Sequence, residues 1–253
     1  MRRRALPIYA LLLAGPRAAP AWAQATTLQV AAASSLGEAL RELARAFEAT
    51  HAGVTVKLTV AATGALLEQA AEGAPMDVLA SADAETVTQG VQRHLLLPDA
   101  AREFASNALV LVVAAQSALP VQRLTDLARV DVQRIAMGRV ATVPAGRYAR
   151  QAIDAARLWP AVQRKIVPAD SARQALELLL RGDVDAAFVY RTDALAAGSQ
   201  VRLVQTLSGH TPVRLSAAVA AASKQPALAR EFVQFLRSDG ARVVLTRLGF
   251  GTL

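Results

Sequence analysis

The chain has 253 residues, of which 53% are hydrophobic and 19% charged, and it carries a formal net charge of +8. Such a chain can bury a large core in one or two domains, and a disordered protein is excluded. The absence of cysteine excludes a disulfide framework and thiol chemistry as well. The first predicted element is a targeting segment. Arg2, Arg3 and Arg4 precede an apolar stretch over 5–15, and Ala21 and Ala23 bracket an A-x-A cleavage site. The apolar stretch is too short to span a bilayer, so 1–23 is predicted to be a cleaved secretory leader and the mature chain to be periplasmic. Its removal takes away four arginines and no acid, lowering the formal charge from +8 to +4. The remaining basic residues are scattered, without the clustered stripe and stacking aromatics of a nucleic-acid surface.

The mature chain opens on an apolar run at 28–33 (LQVAAA), which suits a strand buried on both faces. Ser34 and Ser35 follow, and then Glu38, Leu40, Leu43, Ala44 and Phe47 recur at helical spacing. Ser35 to Glu38 has the S-x-x-E form of a capping box. The run 54–60 alternates like a strand and leads through Thr63 and Gly64 into a helix ending at Ala71. A short buried strand at 76–80 precedes Asp83 and a helix through Val91, and 95–98 is a loop. The longest apolar β-branched run follows at 107–115 and opens a different region. Beyond it come a short helix at 124–127, a strand at 134–138, a turn at 142–146, a helix at 147–156 and a short strand at 166–167. Ser171 and Gln174 form a second capping-box pattern, a strand at 186–190 ends in Tyr190, and Thr192 is placed to cap a short helix. Strands at 201–206 and 213–222 and helices at 226–236 and 240–248 complete the chain. This alternation predicts an α/β fold with mostly parallel sheets.

Four turns share one construction, at 34–35, 63–64, 144–146 and 170–172, each standing between a strand and a helix. In parallel sheets such turns gather at the carboxyl ends of the strands, where ligands bind. Helix N-termini there present free N–H groups and a positive dipole end, which suits an anion. Each turn also makes sense as helix capping alone, and Ser35 fits either purpose. No turn carries Lys or Arg itself, Arg147 and Arg173 lying just inside their helices. Neither G-x-x-x-x-G-K-[ST] nor G-x-G-x-x-G occurs, which argues against a nucleotide. The case for an enzyme is thin. His51, His94 and His210 lack metal-ligand spacing, and no G-x-S-x-G elbow makes Ser34 or Ser35 a nucleophile. Asp77 and Asp83, flanking a buried strand, are the most suggestive acids, with cap and hinge hydrogen bonds as their ordinary use.

Several segments then form a pattern by their order and spacing. They are VAAASSLGEAL at 30–40, ATGALLEQ at 62–69, GAPMDVLASAD at 73–83, NALVLV at 107–112 and VPAGRYARQAI at 143–153, followed by VPADSARQAL at 167–176, AAFVYRTDAL at 186–195 and LGF at 248–250. In these the chain resembles the periplasmic molybdate-binding proteins of ABC importers, the ModA family, along essentially the whole mature length. The resemblance implies a type II periplasmic binding protein: two α/β lobes, each a mixed and mostly parallel sheet flanked by helices, joined by two hinge crossings. Lobe one would take 24–106 plus 213–253, and lobe two 107–212. The ligand would be molybdate or tungstate, clamped in the interlobe cleft.

Carried over by position, the resemblance places hydroxyl donors at Ser35 and Thr63, the latter where the family usually has serine. It places backbone amide donors at Ala145 and Ala172, and a phenol at Tyr190. Ser34 would be an extra hydroxyl beside the site. The metal atom would be held through its oxygens, with no direct protein ligand and no cofactor. The implied partner is an inner-membrane ABC permease, with no nucleic acid, no catalysed reaction, and a monomer expected. The alternatives are the same fold binding another oxyanion or a small organic anion, a secreted hydrolase using Ser35 or Asp83, and a signalling protein read by a membrane sensor.

Overall fold

A computed structural model describes residues 26–253, so the predicted leader at 1–23 lies outside the described residues. The apolar run after it forms β1 (Thr26–Ala33), followed by α1 (Gly37–Thr50), β2 (Val54–Ala61), α2 (Thr63–Ala71), β3 (Val78–Ser81), α3 (Ala84–Gln92) and β4 (Arg102–Ser106). The chain then builds β5 (Leu109–Ala114), β6 (Ile135–Gly138), α4 (Pro144–Ala155), α5 (Trp159–Val162), β7 (Ile166–Ala169), α6 (Ala172–Leu180), β8 (Ala186–Tyr190), α7 (Arg191–Ala197) and β9 (Val201–Thr206). It ends with β10 (Arg214–Val219), α8 (Pro226–Phe235) and α9 (Asp239–Arg247).

The strands make two five-stranded sheets, ordered β2-β1-β3-β10-β4 and β7-β6-β8-β5-β9. β1 pairs parallel with both β2 and β3, and β6 pairs parallel with both β7 and β8. The strand running against the rest of each sheet is the one that arrives from the other lobe: β10 lies antiparallel between β3 and β4, and β5 antiparallel between β8 and β9. A strand with partners on both edges and helices over its faces is apolar along nearly all its length. β5 is buried from Leu109 to Val113 and β10 from Leu215 to Val219, as that position requires. The fold is therefore two α/β lobes with two crossings, 107–108 and 207–213, between the sheets.

Several local expectations are corrected. β4, absent from the sequence reading, starts with the exposed Arg102 and Glu103 and is held at a sheet edge by β10 and by a bridge from Ser106 to Gly251. The capping box at Ser35 does not form: Ser34–Leu36 is a 3₁₀ turn, and α1 starts after it at Gly37 without a side-chain cap. Ser171 does cap α6, accepting from the Gln174 N–H at 3.0 Å, but the Gln174 side chain accepts from the Asp170 N–H rather than from the cap itself. Thr192 does not cap α7 but sits inside it, where its hydroxyl accepts from Asn107 Nδ2 at 3.0 Å. α4 begins at Pro144, so the expected turn is already its first helical turn. Proline is favoured at that position because its missing N–H would have had no helical acceptor.

Candidate functional site

The five residues carried over by resemblance all stand where a strand's carboxyl end hands over to a helix or 3₁₀ turn. Ser35 lies in the turn after β1 and Thr63 opens α2 after β2, in strands whose last pair is Ala33 with Ala61. Ala145 and Ala172 lie in the first turns of α4 and α6, beyond the paired ends Gly138 and Ala169 of β6 and β7. Tyr190 is the last residue of β8. All five are buried, with exposures of 7% for Ser35, 0% for Thr63, 1% for Ala145, 3% for Ala172 and 1% for Tyr190.

The lobes touch at this end of both sheets. The Ser34–Leu36 turn packs against α6, and Gly64 N–H donates to the Thr142 carbonyl across the cleft at 3.1 Å. Only glycine permits that approach, since a Cβ at position 64 would sit 2.6 Å from the Thr142 oxygen. Gly146 is needed for the same reason within lobe two, because its Cβ would lie 2.0 Å from the Gly138 carbonyl oxygen. That contact seats the N-terminus of α4 directly on the end of β6.

The donors there are largely unspent. First-turn amides have no acceptor inside their own helix, and those of Ala145 and Ala172 donate to no other carbonyl or side chain among the described residues. The Thr63 hydroxyl accepts from the Ala82 N–H at 3.4 Å and keeps its own proton to donate. Ser35 makes no side-chain hydrogen bond among the described residues. The Tyr190 hydroxyl is fully buried and has no hydrogen-bond partner among the described residues. Burial, together with the neighbouring Tyr148, Asp83 and Asp193, holds that phenol protonated, well above the ordinary tyrosine range. Leaving a buried hydroxyl unpaired costs about 1–3 kcal/mol, so its position calls for an acceptor.

A cavity of about 280 Å³ opens beside the turn. Ser35, Glu38 and Arg247 from lobe one and Arg173, Thr192 and Asp193 from lobe two line it. Of the five residues only Ser35 lines this cavity. Ser34 borders a separate groove with Ser171 and Arg173. Asp193 is nearly fully buried, and burial pushes its carboxyl up to about 6, against the opposing pull of Arg173. Its Oδ1 lies 3.6 Å from Arg173 Nη2. That pair ties the start of α7 to the start of α6, and among the described residues the buried Asp193 Oδ2 has no hydrogen-bond partner.

Sequence reasoning passed over this role of Asp193, and also Arg147. The Arg147 guanidinium, buried at this end of the cleft, is paired with Asp83, so its charge is cancelled. Asp83 also caps α3 through the Thr86 N–H at 3.1 Å, and Asp77 accepts from the Gln29 N–H at 2.8 Å and the Ser223 hydroxyl at 2.6 Å. Both acids are therefore spent on structure. His51 stacks on Phe47 with ring centroids 3.8 Å apart, and His210 lies against Tyr148, so neither stands beside Ser35 as a base. Among the described residues no cluster of three or more His, Cys, Asp or Glu could hold a metal ion directly. Neutral N–H and O–H donors in a dry pocket can bind an anion through its oxygens and can do little else.

The bacterial extracellular solute-binding protein family matches residues 28–251. The molybdate-binding protein ModA of Mycobacterium tuberculosis is 31% identical over 229 residues, covering 89% of this chain and 85% of that protein. The chain belongs to the ModA family of bacterial extracellular solute-binding proteins. A putative ABC transporter substrate-binding lipoprotein of Bacillus subtilis, YvgL, is 32% identical over 226 residues, covering 88% of this chain and 86% of that protein. In fold the chain matches the periplasmic molybdate-binding protein of Azotobacter vinelandii with a TM-score of 0.78 at 22% identity, covering 89% of this chain and 99% of that one. This family member is a solute-binding component of an ABC importer, not an enzyme, and its class of partner is a membrane permease. Among the described residues no helix is long and apolar enough to cross a membrane.

Proposed function

We propose that this protein captures molybdate or tungstate between its lobes and delivers it to a membrane ABC permease. The observation that carries this reading is the Tyr190 hydroxyl, buried without a partner at the end of the cleft where the free amides of Ala145 and Ala172 also lie. A tetrahedral dianion would take hydrogen bonds from the hydroxyls of Ser35, Thr63 and Tyr190 and from those two amides. Charge-assisted bonds contribute roughly 1.5–3 kcal/mol each, enough together to offset the anion's desolvation. Because the donors carry no formal charge, selectivity rests on the size of the pocket and the aim of each donor. The two metal oxyanions share charge and nearly share size, so the protein would hold both.

On this reading 1–23 is a cleaved leader and the mature chain works in the periplasm as a monomer. Lobe one is 24–106 plus 213–253, lobe two is 107–212, and closure is favoured because the anion meets donors from both lobes only when they are together. A thermal-shift panel of molybdate, tungstate, sulfate, phosphate and chromate on the mature protein tests it. At about 100 times Kd, binding adds roughly 2.7 kcal/mol of stability. Molybdate and tungstate should shift the melting temperature and sulfate and phosphate should not. The absence of a shift with the first two ends this reading.

A further inference from the structure

Arg147, in the first turn of α4, reaches out of lobe two and into lobe one. Its Nη2 donates to the carboxylate of Asp83 and, at 2.7 Å, to the Thr86 hydroxyl. Its Nε lies 3.5 Å from the Glu85 carboxylate. The pair is dry, with the Arg147 side chain 12% exposed and that of Asp83 2%. Every other ion pair among the described residues joins partners within one lobe. Arg147 is thus the only ion-pairing bridge across the cleft among them, and it stands at the end where Gly64 meets Thr142.

We propose that Arg147 is a positioning residue that latches the closed state: it docks on Asp83, Thr86 and Glu85 only when the lobes meet, and so slows release of the ligand held beside it. Because the partners sit on different lobes, opening must separate them and return both charges to water. An interaction present in one conformation and absent from the other shifts the balance between them by its full difference in free energy. The docked guanidinium meets Thr86 and Glu85 as well as Asp83, so it is held by more than a bare ion pair, and removing it strands the buried Asp83 charge, which is strongly unfavourable. Arg147→Met therefore penalises closure by leaving the Asp83 carboxylate dry and unpaired. Asp83→Asn is milder, since asparagine also caps α3 and the guanidinium keeps Thr86 and Glu85. The double variant removes both charges and relieves the penalty of the arginine change.

The statement about ligand release rests on the oxyanion reading; the statement about closure does not. The test uses wild type, R147M, D83N and the double variant, with far-UV circular dichroism to show that each is folded. Small-angle scattering measures the radius of gyration without ligand, and stopped-flow measures molybdate release. The latch predicts a larger radius for R147M than for wild type, release faster by roughly tenfold, and partial restoration of both in the double variant, the non-additivity expected of directly interacting residues. Equal radii and equal release rates for wild type and R147M overturn it, as does strict additivity in the double variant. Tighter molybdate binding by D83N would mean that the freed arginine serves the anion directly, which also overturns the latch. If wild type does not respond to molybdate, the oxyanion reading fails while the ligand-free radii still decide the latch.

Discussion

Tyr190→Phe removes one oxygen and leaves the ring, so it isolates the hydroxyl on which the functional reading depends. In the ligand-free protein that hydroxyl is buried without an acceptor. Its removal therefore breaks no hydrogen bond and relieves part of a desolvation penalty of about 1–3 kcal/mol. The unliganded variant should melt at the wild-type temperature or above it. With an oxyanion bound, the same change deletes a hydrogen bond to a charged group, worth roughly 1.5–3 kcal/mol, or about 10- to 150-fold in Kd. Isothermal titration of molybdate into both proteins gives the affinity, and a melt without ligand gives the stability. The two effects have opposite sign. An unchanged affinity would remove Tyr190 from the site, and a variant destabilised by several kcal/mol would show that the hydroxyl is serving the fold.

Two further changes probe the supports of the site. Gly64→Ala puts a Cβ 2.6 Å from the Thr142 carbonyl oxygen across the cleft, so it should force the lobes apart even without ligand and weaken molybdate binding by roughly tenfold or more while each lobe stays folded; small-angle scattering and titration check this, and unimpaired binding would mean that the lobes need not close so far. Asp193 supplies a pH dependence whose sign is fixed by its carboxyl being raised to about 6. Between about pH 4 and 6 the folded protein holds a proton that the unfolded chain releases, so stability from this group is fullest at the acidic end and is lost as pH rises through 6, by about 3 kcal/mol in all. Subtracting the melting profile of Asp193→Asn from that of wild type should isolate this decline, and a flat difference would show that the carboxyl is not perturbed.

The parts of the fold that could be read from residues are those whose burial leaves a pattern. The run at 28–33 and the one at 107–115 are apolar but for Gln29 and Asn107 because β1 and β5 have neighbours on both edges and are covered on both faces. β4 leaves no such pattern: it is a short edge strand whose first residues face water. Pro144, Ala145 and Gly146 look like a turn by composition, yet proline and two small residues are what a helix N-terminus needs when it is pressed onto a strand end. Ser35 matched a capping box by spacing, but a 3₁₀ turn intervenes and delays the helix, leaving the hydroxyl without a capping duty.

For the site, the hydroxyl-bearing turns were visible as a repeated construction, whereas the choice of Ala145, Ala172 and Tyr190 came from family resemblance. An amide donor has no side-chain signature, and no local pattern tells a ligand-facing tyrosine from one in the core. Arg147 and Asp193 could not be read at all. Their partners lie 64 and 20 residues away, Asp83 for Arg147 and Arg173 for Asp193, and only the folded chain brings those groups together.

The most direct test of the account is a crystal structure of the mature protein with molybdate, using the anomalous signal of molybdenum to place the metal. The account predicts a single strong peak in the cleft, with the metal's oxygens within hydrogen-bond distance of the Ser35, Thr63 and Tyr190 hydroxyls and the Ala145 and Ala172 amides, and with no protein atom bonded to the metal. A peak elsewhere on the molecule, or molybdenum ligated directly by a carboxylate such as Asp193 or Glu38, would contradict it.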